Sequence, residues 1–372
     1  MVFDRRLIKE IDYILLITVA ILIVVGLIII YSATRTNKAL NNGDPFYFLK
    51  KQIQWILLGI IAFVFLINID YRALQKFYYH IYILNILLLL AVLISGKVGG
   101  GAQRWLYFGS MGIQPSEFAK LAIVITLAQF LSDESNTIGL RKVIKAFLHI
   151  ALPTVLIARQ PDLGTAIVFI VIFFGMLYIA GTPKRILGGM LLIGLLASPF
   201  VYFSFLKPYQ RKRLLIFLNP SADSLVSGYN IIQSKIAIGS GKVLGKGLFA
   251  GTQTQLSFLP ARHTDFIFSV VGEEFGFIGS VCILFLYFIL LWRALLIIAS
   301  AKDDYGRLIA TGVVSVFAFH IFVNIGMTLG IMPVTGLPLP FLTYGGSAML
   351  ANLIGIGLLV NVGMRRKKLV FK

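Results

Sequence analysis

The chain has 372 residues, 58% of them hydrophobic and only 13% charged, with a mean hydropathy of +0.89. Soluble domains run near 45–50% apolar and about 25% charged, so this composition excludes a water-soluble globular protein and requires lipid as solvent. The formal net charge of +19 raises the question of nucleic acid, but Lys and Arg on the rim of a membrane protein, facing anionic headgroups, account for it without a nucleic-acid partner.

At roughly 20 apolar residues per span, ten segments emerge in chain order: 13–31, 53–69, 79–95, 115–131, 143–158, 163–180, 186–206, 266–292, 308–330 and 347–364. Backbone polar groups in hydrocarbon must be satisfied within the segment, and the runs are too long and uniform for barrel strands, so the spans are helices. The expected fold is an all-α polytopic membrane protein of about ten transmembrane helices, a single membrane domain over 1–372. The basic flank of the first run and Ser32-Ala33-Thr34 resemble a signal peptide, but its length and the nine later spans favour an uncleaved first helix.

Orientation follows from charge. With the N-terminus inside, the inner pieces carry 18 Lys and Arg against 7 in the short outer loops, which places both termini in the cytoplasm. The long outer stretch 207–264, between the seventh and eighth spans, breaks the usual bias. It holds Lys207, Arg211, Lys212, Arg213, Lys235, Lys242, Lys246 and Arg262 against one acid, Asp223. It reads either as a site for an anionic ligand or as a solvated loop touching headgroups.

Other chemistries find little support. The lone cysteine, Cys282, permits no disulfide, and His80, His149, His263 and His320 lack zinc-site spacing. The run Gly239-Ser240-Gly241-Lys242 has Ile236 where a phosphate loop needs its first glycine and Val243 where it needs Ser or Thr, so its glycines read as turn formers.

The acids are more informative. Glu117, Asp162 and Asp265 come from distant regions of the chain, and each falls at a helix start or tight turn that the topology puts on the outer side. Ionisable residues at a membrane span are costly and mark function by default. Glu117 and Lys120 share a helical face in a helix opened by Pro115, as a structural ion pair or as a pair lining a polar cavity with Lys120 offered to phosphate. Asp162 follows Pro161 ahead of an apolar run, the pattern of an N-cap as well as of a site residue. Glu273 and Glu274 read as buried anchors or a proton path. Asp265 joins the basic loop to an apolar helix, as an N-cap or as a general base: partial desolvation raises a carboxyl pKa unless Arg262 or another cation offsets it, which suits it to that work.

Several stretches then match something specific: QPSEFAKLA from Gln114, RQPDLGTA from Arg159, YQRKRLLIFLNP from Tyr209, GYNIIQSKIAIGSG from Gly228, GTQTQLSFLPARHTDFIFSVVGEEFGFIG from Gly251 and GIMPVTGLPLPFLTYGGSAML from Gly330. Together they resemble the SEDS family of bacterial shape, elongation, division and sporulation proteins, over essentially the whole chain. Arg262 in LPARHTDF, VTGLPLPF from Val334 and the short tails are similar to the rod-shape-determining branch rather than the division branch. Ala261 and Gly272 are mild departures from the family pattern.

The resemblance implies a peptidoglycan glycosyltransferase that polymerises lipid II outside the plasma membrane during cell elongation. Asp265 would be the catalytic residue, with Glu117, Lys120 and Asp162 in the active cavity. The pyrophosphate leaving group needs cations, for which Lys120, Arg211, Arg213 and Arg262 are available, with a divalent cation such as Mg or Mn as a possible addition. Arg104, Trp105 and His263 complete the expected substrate-binding set; for Trp105 an interfacial anchor is the commoner role. The implied partner is a class B penicillin-binding protein, the transpeptidase of a cell-elongation complex. A flippase for the same lipid precursor, or a scaffold for cell-wall synthases, are the rival readings.

Overall fold

The computed structural model describes residues 9–36, 43–99, 102–109, 111–132, 138–204, 206–218 and 227–366. Asp223, Lys38, Asp133, Glu134 and the outermost basic residues, Arg5, Arg6, Lys367, Lys368 and Lys372, lie outside the described residues.

Each of the ten predicted segments is a helix: α1 Tyr13–Thr34, α2 Tyr47–Asn68, α4 Tyr78–Ser95, α5 Pro115–Ser132, α6 Leu140–Arg159, α7 Leu163–Ile179, α8 Lys184–Ser204, α12 Ile267–Ser300, α13 Asp304–Leu329 and α14 Gly346–Met364. Between them lie α3 Arg72–Lys76, α9 Pro208–Leu218, α10 Ser227–Ser240 and α11 Thr252–Gln255. The last three fall in the 207–264 stretch, whose described residues thus carry three helices. Among the described residues, seven of the helices are long and apolar enough to cross a membrane (α1, α2, α4, α8, α12, α13 and α14).

Helix ends follow local chemistry. Asp12 caps α1 by accepting from Leu15 N at 3.0 Å, and Asp303 caps α13 by accepting from Gly306 N at 2.8 Å. Pro115 opens α5, where its missing N–H costs nothing. Gly330 closes α13 in the left-handed conformation, φ 71°.

The core centres on α13, which packs against α12, α7 and α5, while α14 lies along α2. Most of α13 and α14 is buried, whereas α8 buries only Leu187 and presents apolar surface on all sides. A helix that is hydrophobic all round and packed against so little protein fits lipid contact.

Two features were not expected from the sequence. A three-stranded antiparallel sheet, β1 Lys97–Gly99, β2 Ala102–Phe108 and β3 Met111–Ile113 in that order, pairs Lys97 with Trp105 and Leu106 with Ile113. It brings Arg104 and Trp105 to the head of α5.

The other is a break in α12 at Gly276, φ 66° and ψ −158°. The 242–247 segment docks on the break and answers its backbone. Phe277 N donates to Lys242 O at 2.9 Å and Ile278 N to Val243 O at 3.2 Å, while Lys246 N and Gly247 N donate to the carbonyls of Glu273 and Glu274, each at 3.0 Å. Gly241 and Gly245 allow this approach, since a Cβ on either would collide with the α12 backbone at Gly272 and Glu274. These glycines therefore serve a helix clip.

Candidate active site

A cavity opens among the head of α5, the turn into α7, β2, α9 and the segments 261–265 and 335–348. Of the residues expected there, Asp265, Glu117, Asp162, Arg104, Trp105 and Arg213 line it. A second cavity adjoins it, sharing Trp105, Thr264, Tyr344 and Gly345, with Lys51, Trp55 and Tyr107 on its far walls.

Asp265 stands two residues ahead of α12, partly exposed to the cavity and otherwise surrounded by protein. Burial raises its carboxyl pKa above the ordinary value, against the lowering pull of Arg213, then Arg104, then the Thr264 hydroxyl. Its backbone is fixed from α13: Asn324 Nδ2 donates to Asp265 O at 3.0 Å and to Leu337 O at 2.8 Å. Tyr344 N donates to His263 O at 3.0 Å, and Thr343 Oγ1 accepts from Leu339 N at 2.8 Å. The 261–266 and 337–344 segments are thus laced together before α12 begins.

Asp162 is the N-cap of α7, and its carboxylate also stands on the cavity wall. Its Oδ1 accepts from Thr165 N at 3.2 Å and its Oδ2 from Thr165 Oγ1 at 2.9 Å, which caps α7. It also lies 3.7 Å from Arg104 Nη1 and lines the cavity. Arg104 is further held by donating Nη2 to the Pro161 carbonyl.

Glu117 faces the cavity, but Lys120 does not: it sits behind Glu117, only 2% exposed. Its Nζ donates to Glu117 Oε1 and Oε2 at 3.0 and 2.9 Å and lies 3.1 Å from His320 Nε2. The sequence expectation that Lys120 is offered to phosphate is therefore corrected, because its donors are spent inside the bundle.

Three further expected binding residues stand outside the lining. Arg211 donates Nε to Leu206 O at 3.0 Å and Nη2 to Phe203 O at 2.6 Å. Arg262 is buried and donates Nε to Ala33 O at 2.6 Å, tying the loop to α1. His263 packs between Phe48 and Tyr344, ring centroids at 5.1 and 5.9 Å. Burial and the neighbouring Arg262 charge hold its imidazole down at about 4, so it is neutral near pH 7.

Glu273 is an anchor. It accepts from Lys246 Nζ at 2.8 Å, from Gln253 N at 2.8 Å, and from Thr254 N and Oγ1 at 3.0 and 2.7 Å, which caps α11 and fixes the clip. Among the described residues no three His, Cys, Asp or Glu side chains converge closely enough to hold a metal ion. Sequence reading passed over Asn324 and Gly336, and weighed His320 only as a zinc ligand. Asn324 and His320 matter together: they are polar residues four apart in an apolar helix, a signal that one face of α13 is wet or hydrogen-bonded.

Comparison with known proteins agrees with this geometry. Residues 13–368 match the FtsW/RodA/SpoVE family, described as cell cycle protein, and the chain belongs to it. It is 39% identical over 360 residues to the peptidoglycan glycosyltransferase MrdB of Escherichia coli K12, covering 97% of this chain and 95% of that one. Among solved structures it resembles a chain of a peptidoglycan synthase complex described as coordinating polymerization and crosslinking. That likeness has a TM-score of 0.81 at 32% identity and covers 96% of this chain and 99% of the other. It also resembles the rod shape determining protein RodA of Thermus thermophilus, TM-score 0.71 at 30% identity over 96% and 98% of the two chains.

Proposed function

We propose that this chain, a peptidoglycan glycosyltransferase as its relatives are named, polymerises lipid II into β-1,4 glycan during elongation by one inverting displacement, with Asp265 as general base. The acceptor 4-hydroxyl attacks the donor's anomeric carbon, the bond to undecaprenyl pyrophosphate breaks, and the hydroxyl proton passes to the Asp265 carboxylate. The leaving pyrophosphate takes the bonding pair, and Arg104 and Arg213, both on the cavity wall, offset its charge. Inversion converts the α linkage of the donor into the β linkage of the product.

The observation that carries this reading is the placement of the Asp265 carboxylate on the wall of an open cavity that Arg104 and Arg213 also line; burial pushing its pKa up is in keeping with it. A base of this kind supplies roughly 10² to 10⁴ in rate. Positioning supplies much of the rest, and on this reading the two adjoining cavities seat the donor and acceptor sugars.

The same reading places the chain in the bacterial plasma membrane with ten spans, both termini cytoplasmic, one membrane domain over 1–372, and 207–264 as an extracytoplasmic loop. It is supported by the ten helices and by the Lys and Arg asymmetry. The partner is a class B penicillin-binding protein of the elongation complex, in keeping with a structural relative solved within a synthase complex. The test is glycan synthesis from purified lipid II by the detergent-solubilised chain with its transpeptidase, native against Asp265→Asn. Loss of polymer in the variant, with substrate still bound, is expected; a variant as active as the native chain would remove Asp265 from the mechanism.

A further inference from the structure

We propose that His320 is a positioning residue of the polymerisation site, which as the neutral Nδ1–H tautomer joins the buried Lys120–Glu117 pair to the backbone strip that supports Asp265. This rests on the glycosyltransferase reading above. His320 Nδ1 lies 3.1 Å from the Pro338 carbonyl, which can only accept, so Nδ1 carries the proton. Its Nε2 lies 3.1 Å from Lys120 Nζ, an ammonium that can only donate, so Nε2 presents its lone pair. An imidazolium would set two donors and two positive charges against each other at that distance in a dry site.

The arrangement leaves the ammonium fully used. Its partners are the two Glu117 oxygens and His320 Nε2, and Glu117, Lys120 and His320 are 4%, 2% and 1% exposed. One turn further along α13, Asn324 donates to Leu337 O and Asp265 O. His320 and Asn324 therefore grip the consecutive carbonyls of Pro338 and Leu337, next to Gly336, where an added Cβ would lie 3.5 Å from Asp265 Oδ2. A continuous chain of hydrogen bonds and backbone thus runs from Glu117 on one cavity wall to Asp265 on another. A shift of Pro338 moves the backbone beneath the base, and a misplacement of about 1 Å can cost on the order of 10²-fold in rate.

Three variants separate the two links. His320→Gln retains an acceptor near Nε2 and loses the Pro338 bond, His320→Asn retains a donor near Nδ1 and loses Lys120, and His320→Leu loses both. With thermal melting as the check on folding, the expected result is kcat reduced about tenfold in each single-link variant and more in Leu, with KM nearly unchanged. His320→Leu should also combine non-additively with Lys120→Met. Independently of activity, nitrogen NMR of ¹⁵N-histidine-labelled protein, with His320 assigned by its loss in the Gln variant, should show a protonated Nδ1 and a bare Nε2. The same signature should persist in Asp265→Asn, so a failure of the base assignment leaves this result standing. A protonated Nε2, or a folded His320→Leu with native kcat, overturns the proposal.

Discussion

A Cβ placed on Gly336 would lie 3.5 Å from Asp265 Oδ2, and Gly336 itself holds φ +75°. A residue beside the proposed base is thus one whose backbone favours glycine and whose missing side chain leaves space next to the carboxylate. Gly336→Ala forces an L-residue into the left-handed region at roughly 1–2 kcal/mol. Relief of that strain would displace the strip on which Asp265 rests. The expected outcome is a melting point lowered by a few degrees and kcat for lipid II polymerisation lowered about tenfold. A variant that melts lower but polymerises at the native rate would confine Gly336 to a backbone role.

The protonation of Asp265 gives a signed prediction. Burial raises its pKa and Arg213 is the first of the charges that lower it. A general base works deprotonated, so polymerisation rises with pH through that pKa. Arg213→Gln removes a lowering charge, and the acid limb of the kcat profile should move to higher pH. Stability follows the opposite sign. A carboxyl whose pKa is higher folded than unfolded contributes stability below the unfolded value, and that contribution is lost as pH rises through the folded value. Asp265→Asn should therefore melt above the native chain at neutral pH, with the gap closing in acid. An acid limb unmoved in the Arg213 variant would break the link between that arginine and the base.

Much of the fold was legible because a bilayer allows few solutions. Apolar runs of about 20 residues must be helices, and each of the ten became one. Asp162 and Asp265 were legible as acids at helix starts, and Glu117 with Lys120 as an i, i+3 pair. What the sequence withheld was direction and distance. Spacing says that Lys120 meets Glu117, yet not that its ammonium turns inward to His320, 200 residues away. Composition marks 207–264 as basic, yet Arg211 and Arg262 satisfy main-chain carbonyls while Arg213 reaches the cavity. The sheet at 97–113 has strands of only three, seven and three residues, too short for an alternating pattern to declare itself.

The Glu117–Lys120 pair should behave as a buried unit. Lys120→Met leaves a carboxylate 4% exposed without its cation, a change that costs about 3–5 kcal/mol in comparable sites, whereas replacing both partners by apolar residues is often neutral. Lys120→Met alone should melt well below the native chain, and Glu117→Met with Lys120→Met should recover most of that loss. The double variant should still polymerise poorly, because Glu117 is the member of the pair that faces the cavity. Melting curves and strand synthesis on the same preparations decide it; a Lys120 single variant as stable as the native chain would contradict the pairing.

Asp162 carries two duties that one pair of substitutions can divide. It caps α7 through Thr165 and stands beside Arg104 on the cavity wall. Asn is about as good an N-cap as Asp, whereas Ala forfeits about 1 kcal/mol. Asp162→Asn should keep the native melting point while removing the charge that holds Arg104. Arg104 would then be free to turn away from the leaving group, and the loss should appear in kcat. Asp162→Ala should show the same kinetic loss together with a lower melting point. If Asn preserves both melting and kcat while Ala loses both, Asp162 acts through the cap alone, and Arg104 is held well enough by the Pro161 carbonyl.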